Sequence, residues 1–174
     1  VAVGVGTVLV DDPRLTCRLA DGPPHGRSQP TRVVFDSRLR TPIESRLFED
    51  VEHAPLIVVT ARPDRRRIPD REARGAEVVE CPAPDGRVDL ELALETLRTR
   101  GLHRLLVEGG ARTHGALLRA GLADQVAAFV APRVLGEEAA PGAVAGAGFG
   151  SLAAAARLED VRWRKLGDDL MVEG

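Results

Sequence analysis

The sequence has no tyrosine, one tryptophan and four phenylalanines, which leaves aromatics at 3% of 174 residues. Proteins that hold single-stranded nucleic acid stack its bases on aromatic rings, and this chain has almost none to offer. A basic excess is missing as well: 24 Lys and Arg stand against 26 Asp and Glu, for a formal net charge of −2. Without surplus cations to replace phosphate counterions, general nucleic-acid binding is excluded as a function class. Two cysteines, Cys17 and Cys81, are too few for a disulfide framework, and neither lies in a CxxC pair. HxxxH and HxE are also absent, so no metal site is expected. No serine sits in GxSxG, and no Gly-Lys-Ser/Thr follows a glycine run, which removes the nucleophile elbow and the P-loop. No apolar stretch approaches the roughly 18 residues that cross a bilayer, and none reads as a signal peptide. The expected setting is the cytoplasm, with neither membrane nor nucleic acid as partner.

What is present centres on Arg104–Leu122, RLLVEGGARTHGALLRAGL. Leu105, Leu106 and Val107 make a short apolar run of the kind that forms a buried strand. Glu108 closes it, Gly109 and Gly110 turn the backbone, and Leu117, Leu118 and Leu122 continue at helical spacing. Glycines let the main chain approach a phosphate closely, and a helix N-terminus offers unpaired N–H groups with a partial positive charge. Ligands of open α/β sheets bind at the carboxyl ends of strands, where Glu108 is expected. The competing reading is a plain helix cap with a solvated glutamate.

The length suits one domain with a sizeable core, residues 1–174. Val1–Val5 reads as a strand, followed by a turn or single helical turn before Pro13. Its GxG lacks the third glycine of a dinucleotide fingerprint. Residues 21–30 are a loop; 32–35, 56–60 and 76–81 read as strands, and Asp36-Ser37-Arg38 follows the first of these. Asp89 caps a helix with Leu90, Leu94 and Leu97 on one face and Gly101 past its end. Residues 124–135 read as one long strand, 137–150 as a Gly/Ala-rich loop, and the tail as two strands around Gly167-Asp168-Asp169. Strand–helix alternation favours parallel pairing in the first two-thirds, and the last third reads as antiparallel. The expectation is an α/β domain with one mixed sheet.

His25, His53 and His103 fall in segments where a histidine is simply solvated, whereas His114 lies in the glycine–helix unit. The run Arg65-Arg66-Arg67 reads as a solvated face more readily than as a phosphate contact. The Gly142–Gly150 loop either closes over a ligand or is only a flexible connection. The polar residues at strand ends are Thr7, Asp11, Arg18, Ser37 and Glu108, with the amides of Gly110–Ala116. Such a set orients a phosphorylated ligand. Hydride transfer asks little more of the protein, because a nicotinamide carries the difficult chemistry.

GTVLVDDPRLTCR, VVFDSRLRTP, LLVEGGARTHGALLRAGLADQ, APRVLG and LGDDLMVEG, in that order, resemble the pyrimidine reductase domain of riboflavin biosynthesis. That resemblance implies a dihydrofolate-reductase-like α/β fold of three layers. Its central sheet is mixed and mostly parallel, with helices on both faces and a C-terminal antiparallel hairpin. It implies an NADPH-dependent reductase that converts the ribosyl group of 5-amino-6-(5-phosphoribosylamino)uracil to ribityl. The related diaminopyrimidinone ribosyl phosphate, another pyrimidine or pterin, or nucleotide binding without turnover are the alternatives. Carried over by motif, Thr7 and Asp11 touch the cofactor and Ser37 its adenosine phosphate. Gly110, Ala111, Arg112, Thr113, His114, Gly115 and Ala116 hold its pyrophosphate. Leu15, Arg18 and Glu108 bind the substrate, with Glu108 beside the reacting centre as the catalytic residue. The resemblance also implies a homodimer. The family opens with a strand bearing a Ser-x-Asp-Gly-like stretch, and Val1 corresponds to its second strand. The expectation is therefore a reductase domain lacking that strand and the HxE/PCxxC deaminase half.

Overall fold

Val33, Val34 and Phe35 are all buried, and so is every residue from Leu56 to Thr60. A strand covered on both faces needs neighbours on both sides, which is the situation of a parallel sheet sandwiched by helices. The computed structural model describes residues 1–19, 28–134, 136, 140 and 142–174. In it, β1 (Ala2–Gly4), β2 (Arg32–Phe35), β3 (Leu56–Thr60), β4 (Ala76–Glu80) and β5 (Val107–Gly109) form a sheet ordered β4-β3-β2-β1-β5. Every pairing in it is parallel.

Alternation along these strands divides the core in two. Val3, Val34, Leu56 and Val58 pack with Leu39, Leu47 and Phe48, with α1 (Val5–Asp11) through Val5 and Val8, and with α2 (Ile68–Ala73) through Ile68. Ala2, Val33, Phe35, Ile57 and Val59 face the other way, onto Ala93 and Leu97 of α3 (Leu90–Thr99). Asp89 caps α3 by accepting from the Leu92 amide at 3.0 Å, and Gly101 follows with φ +81°. Its packing face is Leu90, Ala93 and Leu97, so Ala93 takes the place expected of Leu94.

One charged side chain of this sheet is fully buried. Arg32 opens β2 with no exposed surface, and its guanidinium donates to the carbonyls of Ala54, Arg14 and Glu49. Burial pushes its pKa below the ordinary arginine value, and Asp50 opposes that shift. Its donors thus satisfy carbonyls of the loops beneath the sheet.

Three expectations need correction. The segment after β1 is a seven-residue helix rather than one turn. Burial of Val5 and Val8, three apart on one helical face, overrides the weak helix propensity of valine and glycine there. The strand expected at Leu105–Val107 runs instead over Val107–Gly109, so Glu108 lies within it. It stands at the sheet's edge, which is why Leu106 is exposed rather than buried. Finally, β6 (Ala127–Val130), β7 (Arg162–Leu166) and β8 (Asp169–Glu173) form their own antiparallel sheet, ordered β6-β8-β7. The expected α/β architecture, a mostly parallel sheet with helices on both faces and a C-terminal antiparallel pair, is present, and among the described residues the antiparallel strands form a sheet of their own rather than continuing the parallel one. The long strand expected over 124–135 is four residues, and its last expected position, 135, lies outside the described residues, as do 21–27 of the first expected loop and 137–139 and 141 of the Gly/Ala-rich one.

Candidate active site

The site forms where β1 and β5 hand over to helices. β1 runs straight into α1, and β5 passes through Gly109 and Gly110 into α4 (Ala111–Arg119), with a cis peptide bond between the two glycines. The two crossings interlock. The Thr7 hydroxyl lies against Gly109 and Gly110, where an added Cβ would sit 3.2 and 3.1 Å from its oxygen. Reciprocally, the Thr113 hydroxyl fills the space a Cβ would take at Gly4. A Cβ at Gly4 would collide with the Thr113 hydroxyl unless that side chain moved, and one at Gly109 or Gly110 would press on the Thr7 hydroxyl, so glycine permits this close approach.

Gly110 is the N-cap of α4 and has no side chain to cap the helix. The Thr113 and His114 amides donate back to its carbonyl at 2.9 and 3.1 Å, while those of Ala111 and Arg112 have no backbone acceptor among the described residues. This nine-residue helix therefore starts with open donors and two flanking hydroxyls, a composition that fits the phosphates of a dinucleotide. The later residues of the expected pyrophosphate run are occupied otherwise. His114 has Nε2 3.1 Å from the Val107 carbonyl and Nδ1 3.0 Å from the Ala143 carbonyl. Gly115 meets the Ala145 carbonyl so closely that a Cβ would collide with it. The Ala145 amide donates to the Ala111 carbonyl at 2.9 Å. The start of the Gly/Ala-rich loop is thus docked along α4. Arg112 is exposed, and Ala116 half-buried.

Below this crossing a cavity of about 460 Å³ collects Asp11, Leu15, Arg18 and Glu108. Three of these were expected on substrate; Asp11, expected on cofactor, shares their space. The chain reverses here through Asp12 (φ +41°) and Leu15 (φ +54°), left-handed conformations unusual outside glycine. Asp12 holds the reversal: its Oδ1 accepts from the Ser45 hydroxyl at 2.7 Å and the Arg46 amide at 3.0 Å. Asp12, Ser45 and Arg46 escaped the sequence reading because the contact spans 33 and 34 residues and follows no local pattern.

Ser37 stands apart, beyond β2 and two strands from β5, about 10 Å across the sheet. Its carbonyl accepts from the amides of Ala61 and Arg62 at 3.2 and 2.8 Å, and its hydroxyl accepts from the Val88 amide at 3.1 Å. Asp36 beside it is fully buried, and its Oδ2 accepts from the Thr41 amide at 2.6 Å and the Thr41 hydroxyl at 2.8 Å. The expected residues therefore occupy one edge of the parallel sheet in three groups: the diglycine crossing, the cavity, and the Ser37 turn. Among the described residues no cluster of His, Cys, Asp and Glu could hold a metal, and no helix is long and apolar enough to cross a membrane.

Comparison with known proteins identifies the family of the chain. The family model described as the RibD C-terminal domain matches residues 1–172. A protein of Methanothermobacter thermautotrophicus named 2,5-diamino-6-ribosylamino-4(3H)-pyrimidinone 5′-phosphate reductase is 40% identical over 174 residues, covering 99% of this chain and 77% of that protein. Riboflavin biosynthesis protein RibD of Actinobacillus pleuropneumoniae is 30% identical over 173 residues, with 99% of this chain matched to 45% of its own. Among solved structures, Acinetobacter baumannii RibD, form 1, superposes with a TM-score of 0.79 at 28% identity, again across 99% of this chain and 45% of that one. The chain thus spans slightly under half the length of the RibD proteins it matches. With the parallel sheet, the diglycine crossing and the cavity in one arrangement, and a family match over nearly every residue, this chain belongs to the RibD C-terminal domain family.

Proposed function

We propose that residues 1–174 act as one pyrimidine reductase domain, using NADPH to reduce the ribosyl group of 5-amino-6-(5-phosphoribosylamino)uracil to ribityl. The observation that carries this reading is the cavity uniting Glu108, Leu15 and Arg18, with Glu108 on the strand that leads through Gly109 and Gly110 into the uncapped start of α4. The 40% identity to a reductase named for the diaminopyrimidinone ribosyl phosphate favours a second reading, in which that compound is the substrate. When bound, the nicotinamide supplies the hydride. The open amides of Ala111 and Arg112 and the hydroxyls of Thr7 and Thr113 would hold the cofactor phosphates, and the Ser37 turn the adenosine phosphate. Arg18 pairs with the substrate phosphate, for which a planar guanidinium is suited. Reduction adds a hydride at C1′ of the opened sugar and a proton at the adjoining nitrogen. Glu108 accepts a hydrogen bond from the substrate and fixes the angle at which C1′ is presented.

The exposed Val130, Trp163 and Leu170, which share one face of the C-terminal sheet, support a homodimer.

The test is oxidation of NADPH or NADH, followed by absorbance, with each of the two pyrimidine substrates. Turnover with NADPH is expected, and Glu108→Gln should lower kcat about 100-fold or more. A variant with near-normal kcat and KM would remove the carboxylate from the reaction.

A further inference from the structure

The charged groups that line the cavity are Asp11, Asp12, Arg14, Arg18, Arg46 and Glu108. Some of them are already engaged. Asp12 holds Ser45 and the Arg46 amide, and Arg14 is paired with Glu49 at 2.7 Å. Among the described residues neither Arg18 nor Arg46 has a carboxylate within 4.0 Å. Arg18 and Arg46 thus line one small cavity without a salt bridge of their own, although Asp11, Asp12 and Glu108 belong to the same lining. A mobile surface arginine would mean little by itself, since most such side chains are simply solvated.

Arg46 differs in how firmly its backbone is held. It opens a 3-10 turn, Arg46–Phe48, in which the Ser45 hydroxyl caps the Leu47 amide at 3.3 Å. The next two residues, Leu47 and Phe48, are anchored in the hydrophobic core. The Arg46 amide is fixed by Asp12 from the same reversal that leads to Arg18. The chain therefore ties the two arginine-bearing segments together through Asp12 and leaves both arginine side chains exposed at the cavity.

We infer that Arg46 is a second ligand of the substrate's 5′-phosphate, acting with Arg18 from a part of the chain outside the motif that carries Arg18. A phosphate monoester presents up to two charges and three acceptor oxygens, which one guanidinium cannot satisfy. Arg14, held by Glu49, is the cation of the cavity that does not take part. Asp12 is a positioning residue for this pair, because both of its contacts go to the segment that carries Arg46. The inference rests on the proposed phosphoribosyl substrate.

The test compares KM for the phosphorylated substrate and for its dephosphorylated riboside in the wild-type enzyme, Arg46→Ala, Arg46→Lys and Arg18→Ala, with KM for NADPH measured alongside. Thermal unfolding of each variant checks that the fold is kept, since the Arg46 backbone bonds survive the substitution. Arg46→Ala should raise KM for the phosphorylated substrate about 10- to 100-fold, leave KM for the riboside and for NADPH in place, and weaken inhibition by inorganic phosphate. Arg46→Lys should recover part of the loss, because it returns charge without the bidentate fork. An unchanged KM in Arg46→Ala, or equal losses for phosphate ester and riboside, overturns the assignment of Arg46. A wild-type enzyme that does not distinguish the ester from the riboside overturns the phosphorylated-substrate reading itself, whatever Arg46 does.

Discussion

The two sheets of this chain handle apolar residues in opposite ways. In the parallel sheet Val33, Val34, Val58 and Val59 are completely enclosed, with helices or loops over both faces. In the C-terminal sheet Phe129, Val130, Trp163 and Leu166 lie 47–65% exposed. Register makes the contrast sharper. Ala128, Val172 and Trp163 stand across from one another, as do Val130, Leu170 and Lys165, so one face of β6-β8-β7 is nearly all apolar. A sheet of that composition is normally covered. The first region encloses its apolar residues, while the second leaves an apolar face exposed among the described residues.

The largest effect should come from placing a charge in each region. Val58→Asp buries a carboxylate with no partner and should cost more than about 4 kcal/mol, enough to unfold the domain. Trp163→Asp on the exposed sheet should stay within about 0.5 kcal/mol for an isolated chain. Urea unfolding monitored by circular dichroism gives both numbers. A larger loss in Trp163→Asp that grows with protein concentration would show that a second copy covers this face, and sedimentation would then find the wild type dimeric.

Arginines offer a milder version of the same comparison. Arg32→Met leaves the carbonyls of Ala54, Arg14 and Glu49 without their donor in a buried place, at a cost of about 3 kcal/mol. Arg164→Met removes a half-exposed contact, 3.8 Å from Glu173, and should shift stability by no more than about 0.5 kcal/mol. Equal losses in chemical denaturation would mean that exposure does not divide the two regions.

How much of this was legible in the sequence follows the same divide. Continuous apolar runs such as 33–35 and 56–59 announce buried parallel strands, and Asp89 with Gly101 brackets α3, because each is a local signal. The glycines at 109–110 likewise mark the crossing from β5 into α4. Strand order is not local. Nothing within Leu105–Glu108 says that β5 ends a sheet, and that placement alone exposes Leu106 and draws Glu108 into the strand. Helix α1 was underread because its glycine and valines favour other conformations, and only tertiary burial of Val5 and Val8 reverses that. Arg46 was invisible for a related reason: its importance comes from Asp12, thirty-four residues away.

The smallest effect concerns the alkaline limb of stability, and it belongs to the parallel sheet alone. Cys81 follows β4 with 1% of its surface exposed. Burial pushes its thiol pKa above the ordinary 9.0, and nearby Asp89 adds to this, against the lowering effects of Thr96 and Arg100. The folded protein therefore holds the Cys81 proton more tightly than the unfolded chain does. That contribution is complete below pH 9 and is lost as pH rises through the higher folded value, so stability should fall with increasing pH there. Unfolding followed from pH 8 to 10.5 should show the decline, and Cys81→Ala should flatten it while adding a small cavity penalty that is independent of pH. Alkylation gives a second reading of the same proton. Cys17, half-exposed at the cavity, should react with iodoacetamide in the native protein, whereas Cys81 should react only after unfolding. Native labelling of both thiols at equal rates would mean that the end of β4 opens readily, and the parallel sheet would then be less closed at this edge than its central strands.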